Sequence, residues 1–205
     1  MPRLTRSSTC LALCLAFALA GCDRGARADA ALEVLGAVPD FSFTDQTGAP
    51  VTARHLDGAV TIANFIFTRC PTVCPVTSMK MQRLGERLLA DHPQVHLLSF
   101  SVDPEHDTPE VLSEFAARYR ADPARWRFLT GRPDVVRSAV EEGFKIALDR
   151  RGMLQDGTPD IVHGVHFVLI DGAHRIRGYY DSDDSQRLDR LVRDAERLAK
   201  DLERP

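Results

Sequence analysis

The sequence predicts an α/β domain in which a central mixed sheet is flanked by helices and preceded by a hairpin. Three observations carry that reading. Residues 59–68 (AVTIANFIFT) form a nearly continuous apolar, β-branched run, as a central strand covered on both faces does. Behind that run, strand-like and helix-like patterns alternate, as crossover units require. Near the C-terminus two strand patterns follow each other directly, and an amphipathic stretch closes the chain.

Taken in order, residues 39–58 alternate at Phe41 and Phe43, turn at Gln46-Thr47-Gly48 and resume at Val51, which predicts a short hairpin. The buried strand at 59–68 leads into Cys70. From Pro75 a helix is expected to run to His92, with Met79, Leu84 and Leu88 on its apolar face and Pro75 starting it without losing a needed hydrogen bond. Residues 95–103 read as the next strand. A helix then opens with Thr108 as cap and Pro109 at its first position, although Val111 stands where a full capping box needs an acid. Residues 126–129 suggest a brief strand, 132–144 a third helix and 152–159 a loop. Residues 165–171 and 175–180 form two strands around the Asp171-Gly172 turn, and a last helix spans 184–202. That order fits the thioredoxin fold.

Composition narrows the function classes. The 205 residues carry a net charge of −3, and two basic residues, Arg3 and Arg6, lie in a leader-like segment, so the remainder is more acidic still. Such a chain has little field with which to hold a polyanion, and no nucleic-acid partner is expected. Residues 1–21 read as an export leader: a basic start, then an apolar stretch too short to span a bilayer comfortably. LAGC at residues 19–22 resembles a lipoprotein cleavage site, which would make Cys22 the lipidated first residue; Asp23 resembles a signal for retention on the inner membrane. Residues 22–38 then form the lipidated end and tether, and 39–205 the domain. This address is the bacterial envelope, anchored to the inner membrane and facing the periplasm, where a close cysteine pair can oxidise.

Five cysteines are too few for a disulfide framework once Cys10 and Cys14 leave with the leader and Cys22 takes lipid. Cys70 and Cys74 remain, in the run TRCPTVCP. Residues four apart share one face of a helix, so both sulfurs can address one object or each other. Free amides at the helix start, with Arg69 nearby, favour the thiolate, which is both a nucleophile and a soft-metal ligand. A third ligand is to be sought among His55, His92, His96, His106, His163, His166 and His174. In the expected fold the chain returns beside the first strand's end just before Val165, so His163 is the candidate and His166, inside the strand, the weaker one. Gly164 lets the chain approach there. Asp103 and Asp107 are expected to cap turns and the following helix rather than to act on a metal.

FTRCPTVCP at 67–75, SVDPEHDTPEVL at 101–112 and the histidine ahead of HFVLIDG resemble the SCO/SenC family of copper-binding, thioredoxin-like cytochrome c oxidase assembly proteins. The likeness covers residues 39–201. It departs at Val168, where an aromatic residue is common, and in the shorter Asp171-Gly172 turn. The resemblance implies that Cys70, Cys74 and His163 bind one copper ion per monomer, as Cu(I) or Cu(II). It further implies a metallochaperone that delivers copper to, or reduces the cysteines of, the binuclear copper centre of oxidase subunit II. Implied partners are that subunit or its assembly factors, a thiol reductant or copper donor, and the membrane through the lipid anchor. The competing expectation is a thiol-disulfide oxidoreductase acting on exported proteins through Cys70 and Cys74. A thiol peroxidase and a copper-storage module are further rivals.

Overall fold

The computed structural model describes residues 31–155 and 157–204. The leader, Cys22 and Asp23 lie outside the described residues. Ten strands are seen among those described: β1 (Gly36–Ala37), β2 (Ser42–Asp45), β3 (Pro50–Thr52), β4 (Val60–Ile66), β5 (Val95–Ser101), β6 (Trp126–Thr130), β7 (Leu148–Met153), β8 (Pro159–His163), β9 (His166–Ile170) and β10 (Arg175–Asp181). The α-helices are α1 (Val73–Leu88), α2 (Pro109–Arg118), α3 (Pro133–Ser138) and α4 (Ser185–Leu202). None is long and apolar enough to cross a membrane.

Eight strands form one mixed sheet in the order β1-β10-β9-β4-β5-β6-β2-β3, with β4, β5 and β6 parallel and β9 antiparallel to β4. Every residue of β4 is buried, Thr61 and Asn64 included, as its nearly continuous apolar run predicts. Ile62, Leu97 and Phe128 are fully covered, and Phe65, Phe100 and Phe144 pack ring to ring, with centroids 5.0 to 5.8 Å apart. The first segment of the sheet, β1, falls within the stretch read as tether and pairs with β10.

Most expected elements are present, and the departures have local causes. Helix α1 begins at Val73, two residues before Pro75, because a first-turn proline lacks only an N–H that has no helical partner anyway. Its buried face runs through Cys74, Ser78, Met81, Leu84 and Leu88, while Met79 is exposed. The third helix shortens to α3 and continues as one π-turn, Ala139–Gly143, closed by the bond from Phe144 N–H to the Ala139 carbonyl. Gly143 lies against Pro39, where a Cβ would come within 2.7 Å of the ring. Residues 152–159 are not all loop. The segments beside them, β7 and β8, form a separate two-stranded antiparallel sheet pairing Leu148 with His163 and Arg150 with Ile161. After Leu148 every β7 side chain is exposed, so the strand lacks the alternation that announces one in sequence.

Candidate metal and redox site

The candidate site forms where the buried strand β4 ends. Its last residue, Ile66, stands beside Ser101 at the end of β5, and the chain then turns through residues 67–72 into α1. Cys70 lies in that turn at 9% exposure, and Cys74 is fully buried in the first turn of the helix. The Cys74 N–H donates to Cys70 Sγ at 3.4 Å, so the helix start closes back onto the first sulfur.

Asp103 and Asp107 hold this turn from the neighbouring strand exit. The Asp107 carboxylate is fully buried and accepts from Thr68 N–H at 3.1 Å, Thr68 Oγ1 at 2.5 Å and Ser101 Oγ at 2.6 Å. Burial pushes its pKa up, against the hydroxyls of Ser101 and Thr68, which pull it down. Asp103, 2% exposed, pairs with Arg69 at 2.7 Å and lies 3.7 Å from Arg150 on β7. The cap of α2 is Thr108, whose Oγ1 accepts from Val111 N–H, so neither aspartate caps that helix through its side chain. Both are tied to the cysteine turn, a role that the acidic segment alone did not reveal.

His163 is the last residue of β8 rather than a loop residue, and it faces the cysteines. Its Nε2 stands 3.7 Å from Cys74 Sγ, and its ring meets Phe67 edge-on, with centroids 6.0 Å apart. Nδ1 lies 3.2 Å from the Gly164 carbonyl oxygen. A carbonyl only accepts, so Nδ1 carries the proton and the Nε2 lone pair is directed to the sulfur side. Burial holds the imidazole pKa below its usual value, which favours this neutral form. Gly164 fits closely here: a Cβ would come within 3.2 Å of Ile146 and 3.4 Å of His166.

The two thiols differ. Cys70 is lowered to about 5, first by its hydrogen bond with Cys74 and then, against burial, by the backbone amides of Cys74, Thr72 and Val73. Cys74 is pushed strongly up by the same bond to Cys70 and by its own burial. Arg69 does not supply the positive charge expected of it, since its guanidinium is engaged with Asp103. Cys70 and His163 both line a groove of about 320 Å³, walled on one side by Pro71, Thr72 and Val73 and on the other by Leu154 and Pro159.

Among the described residues, none of the other histidines is hydrogen-bonded to either cysteine. His55 and His96 stand where β4 and β5 begin, at the far end of the strands. His174 Nε2 is bonded to Asp57 at 2.6 Å, and His166 opens β9 opposite Asp181. As the side chains stand, no three His, Cys, Asp or Glu groups among the described residues are drawn closely enough together to enclose a metal ion. Cys70, Cys74 and His163 nevertheless form a contiguous set of two sulfurs and one imidazole.

Known proteins share this arrangement of chain. The SCO1 protein homolog of Bacillus subtilis (strain 168) is 34% identical over 161 residues, 77% of this chain and 80% of that protein. The solved structure of BsSco, a member of the Sco family of cytochrome c oxidase assembly proteins in which a disulfide switch was identified, superposes with a TM-score of 0.72. It shows 31% identity and covers 83% of this chain and 98% of its own. Copper-bound ScoI from Bradyrhizobium japonicum matches with a TM-score of 0.65 and 25% identity over 82% of this chain and 98% of its own. The SCO1/SenC family profile matches residues 31–200. With family profile, sequence and overall fold in agreement, the chain belongs to the SCO1/SenC family.

Proposed function

We propose that the chain is a membrane-tethered copper metallochaperone that serves cytochrome c oxidase assembly, delivering copper to the binuclear centre of subunit II. The observation that carries this reading is the approach of His163 Nε2 to Cys74 Sγ, with the Cys70 sulfur bonded to the Cys74 amide beside it. Two soft sulfurs and one borderline nitrogen suit Cu(I), and the imidazole also accommodates Cu(II). Copper is here the cargo. Cys70 binds as the thiolate it already is near neutral pH, Cys74 gives up its proton on binding, and His163 offers a lone pair whose direction Gly164 fixes. Cys70 and His163 line an open groove, which lets a partner's ligands replace them one at a time. Cys22 would carry the lipid that holds the site at the periplasmic face of the inner membrane, raising its effective concentration near a membrane-bound client.

Anaerobic titration of the reduced chain with Cu(I) and with Cu(II) tests this. One ion per chain is expected, with the Cu(II) spectrum changed and affinity lost in His163→Ala. An unchanged spectrum and affinity in that variant would remove His163 from the ligand set.

The asymmetry of the thiols supports a second reading, a thiol-disulfide oxidoreductase. The Cys70 thiolate would attack a client disulfide, the leaving client sulfur would take a proton, and Cys74 would then displace the client, so that two electrons pass and Cys70–Cys74 is left oxidised. On that reading, disulfide exchange survives in His163→Ala; on the copper reading, oxidase assembly does not.

A further inference from the structure

At the end of the parallel strands away from the cysteine turn, the sheet carries a second polar recess. Thr61 and His96 are register partners near the starts of β4 and β5, and Arg125 and Arg127 flank the start of β6. Together with His55, these side chains line a cavity of about 50 Å³. One buried water needs roughly 10–15 Å³ on this measure, so the space takes a cluster of three or four oxygen-sized atoms.

The lining is cationic. Arg125 spends Nε and Nη2 on the carbonyl oxygens of His92 and Val95, and among the described residues it has no carboxylate partner. Arg127 gives Nη1 to Asp45 at 3.0 Å. That aspartate's other oxygen accepts from Thr47 N–H, Thr47 Oγ1 and Ala49 N–H, so it balances one of the two guanidinium charges and leaves that of Arg125 without a carboxylate. His96 is kept below its usual pKa by burial and then by Arg125, Arg127 and His55, which leaves a neutral ring with one N–H to donate. The second, independent observation is Thr61: it is fully buried, it lines the cavity, and its Oγ1 has no hydrogen-bond partner among the described residues. A buried hydroxyl left unpaired is costly, and an acceptor in the cavity would satisfy it.

We propose that this recess is a binding site for a phosphate-class oxyanion, with Thr61 Oγ1, His96 and the guanidinium groups of Arg125 and Arg127 as donors. Two permanent guanidinium charges exclude a metal cation there, and the cavity has room for an oxyanion but not for a nucleotide. The same chemistry is presented by a free anion and by a lipid headgroup phosphate.

The test is calorimetric titration of the full chain, in detergent, with inorganic phosphate at constant ionic strength. Saturable one-site binding is expected, at least about tenfold weaker in Arg127→Gln and in Thr61→Val, each checked for its fold by circular dichroism. Thr61→Val is nearly isosteric and keeps the Asp45 ion pair, so it answers if Arg127→Gln does not fold. An absence of saturable binding, or wild-type affinity in a folded variant, overturns the proposal. Vesicles of phosphatidylcholine with and without phosphatidic acid then name the source. Displacement of phosphate by the acidic vesicles alone marks a headgroup and its persistence marks the free anion, and both results require the site.

Discussion

Thr68 and Asp107 are joined twice, through the backbone N–H and the hydroxyl of Thr68, across 39 residues of sequence. That double bond between the end of one strand and the turn after the next fixes the chain two residues before Cys70. The aspartate is fully buried and Ser101 completes its partners, so loss of the carboxylate leaves three donors exposed to an apolar surround. Asp107→Ala is expected to lower stability by about 1–3 kcal/mol, read as a shift of the urea midpoint at constant slope. Thr68→Val should cost less, because Asp107 keeps the backbone N–H and Ser101. Equal losses in the two variants would contradict the assignment.

The unequal thiols are visible to an alkylating agent. With Cys70 at about 5, its reaction with iodoacetamide in the reduced chain should be near its plateau at pH 6 and rise little by pH 8. An ordinary thiol would gain about a hundredfold over those two pH units. Cys74, buried and raised, should stay unmodified in the folded chain. Peptide mass spectrometry after timed quenching separates the two sites, and a steep pH dependence at Cys70 would refute its thiolate character.

Arg150 holds the small β7–β8 sheet to the main one. Its Nη2 donates to the Val102 carbonyl at 2.6 Å, and the guanidinium also lies near Asp103 and Glu105. The side chain is about a third exposed, so Arg150→Ala should cost only about 1 kcal/mol in global stability. Its larger effect should be local, with faster amide hydrogen exchange at Ile161 and at Arg150's neighbours on β7 while α4 is unchanged. Copper affinity should fall with it, because His163 ends β8.

Asp171 gives a pH dependence of definite sign. Burial pushes its pKa up, but the Arg175 N–H, the Arg177 guanidinium, the Ala173 N–H and the Arg175 guanidinium together carry it below 3.8. A carboxylate depressed in the folded state adds stability above its unfolded value and loses it as pH falls through the folded value. Asp171→Asn should therefore be less stable by about 1–3 kcal/mol at pH 7, and the difference should shrink below pH 3.8. A difference that persists undiminished to pH 2 would show that the carboxylate's charge is not its source.

Most strands of the main sheet and the cysteine turn were legible in sequence because burial leaves a pattern: β4 is apolar but for Thr61 and Asn64, and the run from Thr68 to Pro75 combines thiols with prolines at a strand-to-helix junction. The nearness of His163 to the cysteines was legible from topology, since the chain had to return beside β4. What was not legible depends on partners distant in sequence. Strand β7 is exposed after Leu148, so nothing in the order of its residues marks it as the partner of β8. Asp103 and Asp107 sit beside a good cap residue and were read as capping groups, yet their partners are 34 and 39 residues away. Arg69 was expected to act on the nearest thiol and instead turns to Asp103, the carboxylate that fits its fork.

The cysteines leave the main sheet, whereas His163 belongs to the separate pair of strands, 89 positions further along the chain than Cys74. Anything gripped by all three is therefore a cross-link as well as a cargo. It closes a long chain loop, and by removing loop entropy from the unfolded chain it should stabilise the fold, as a staple over the same span does. On the copper reading, giving up the ion would cut that staple and leave the small sheet freer.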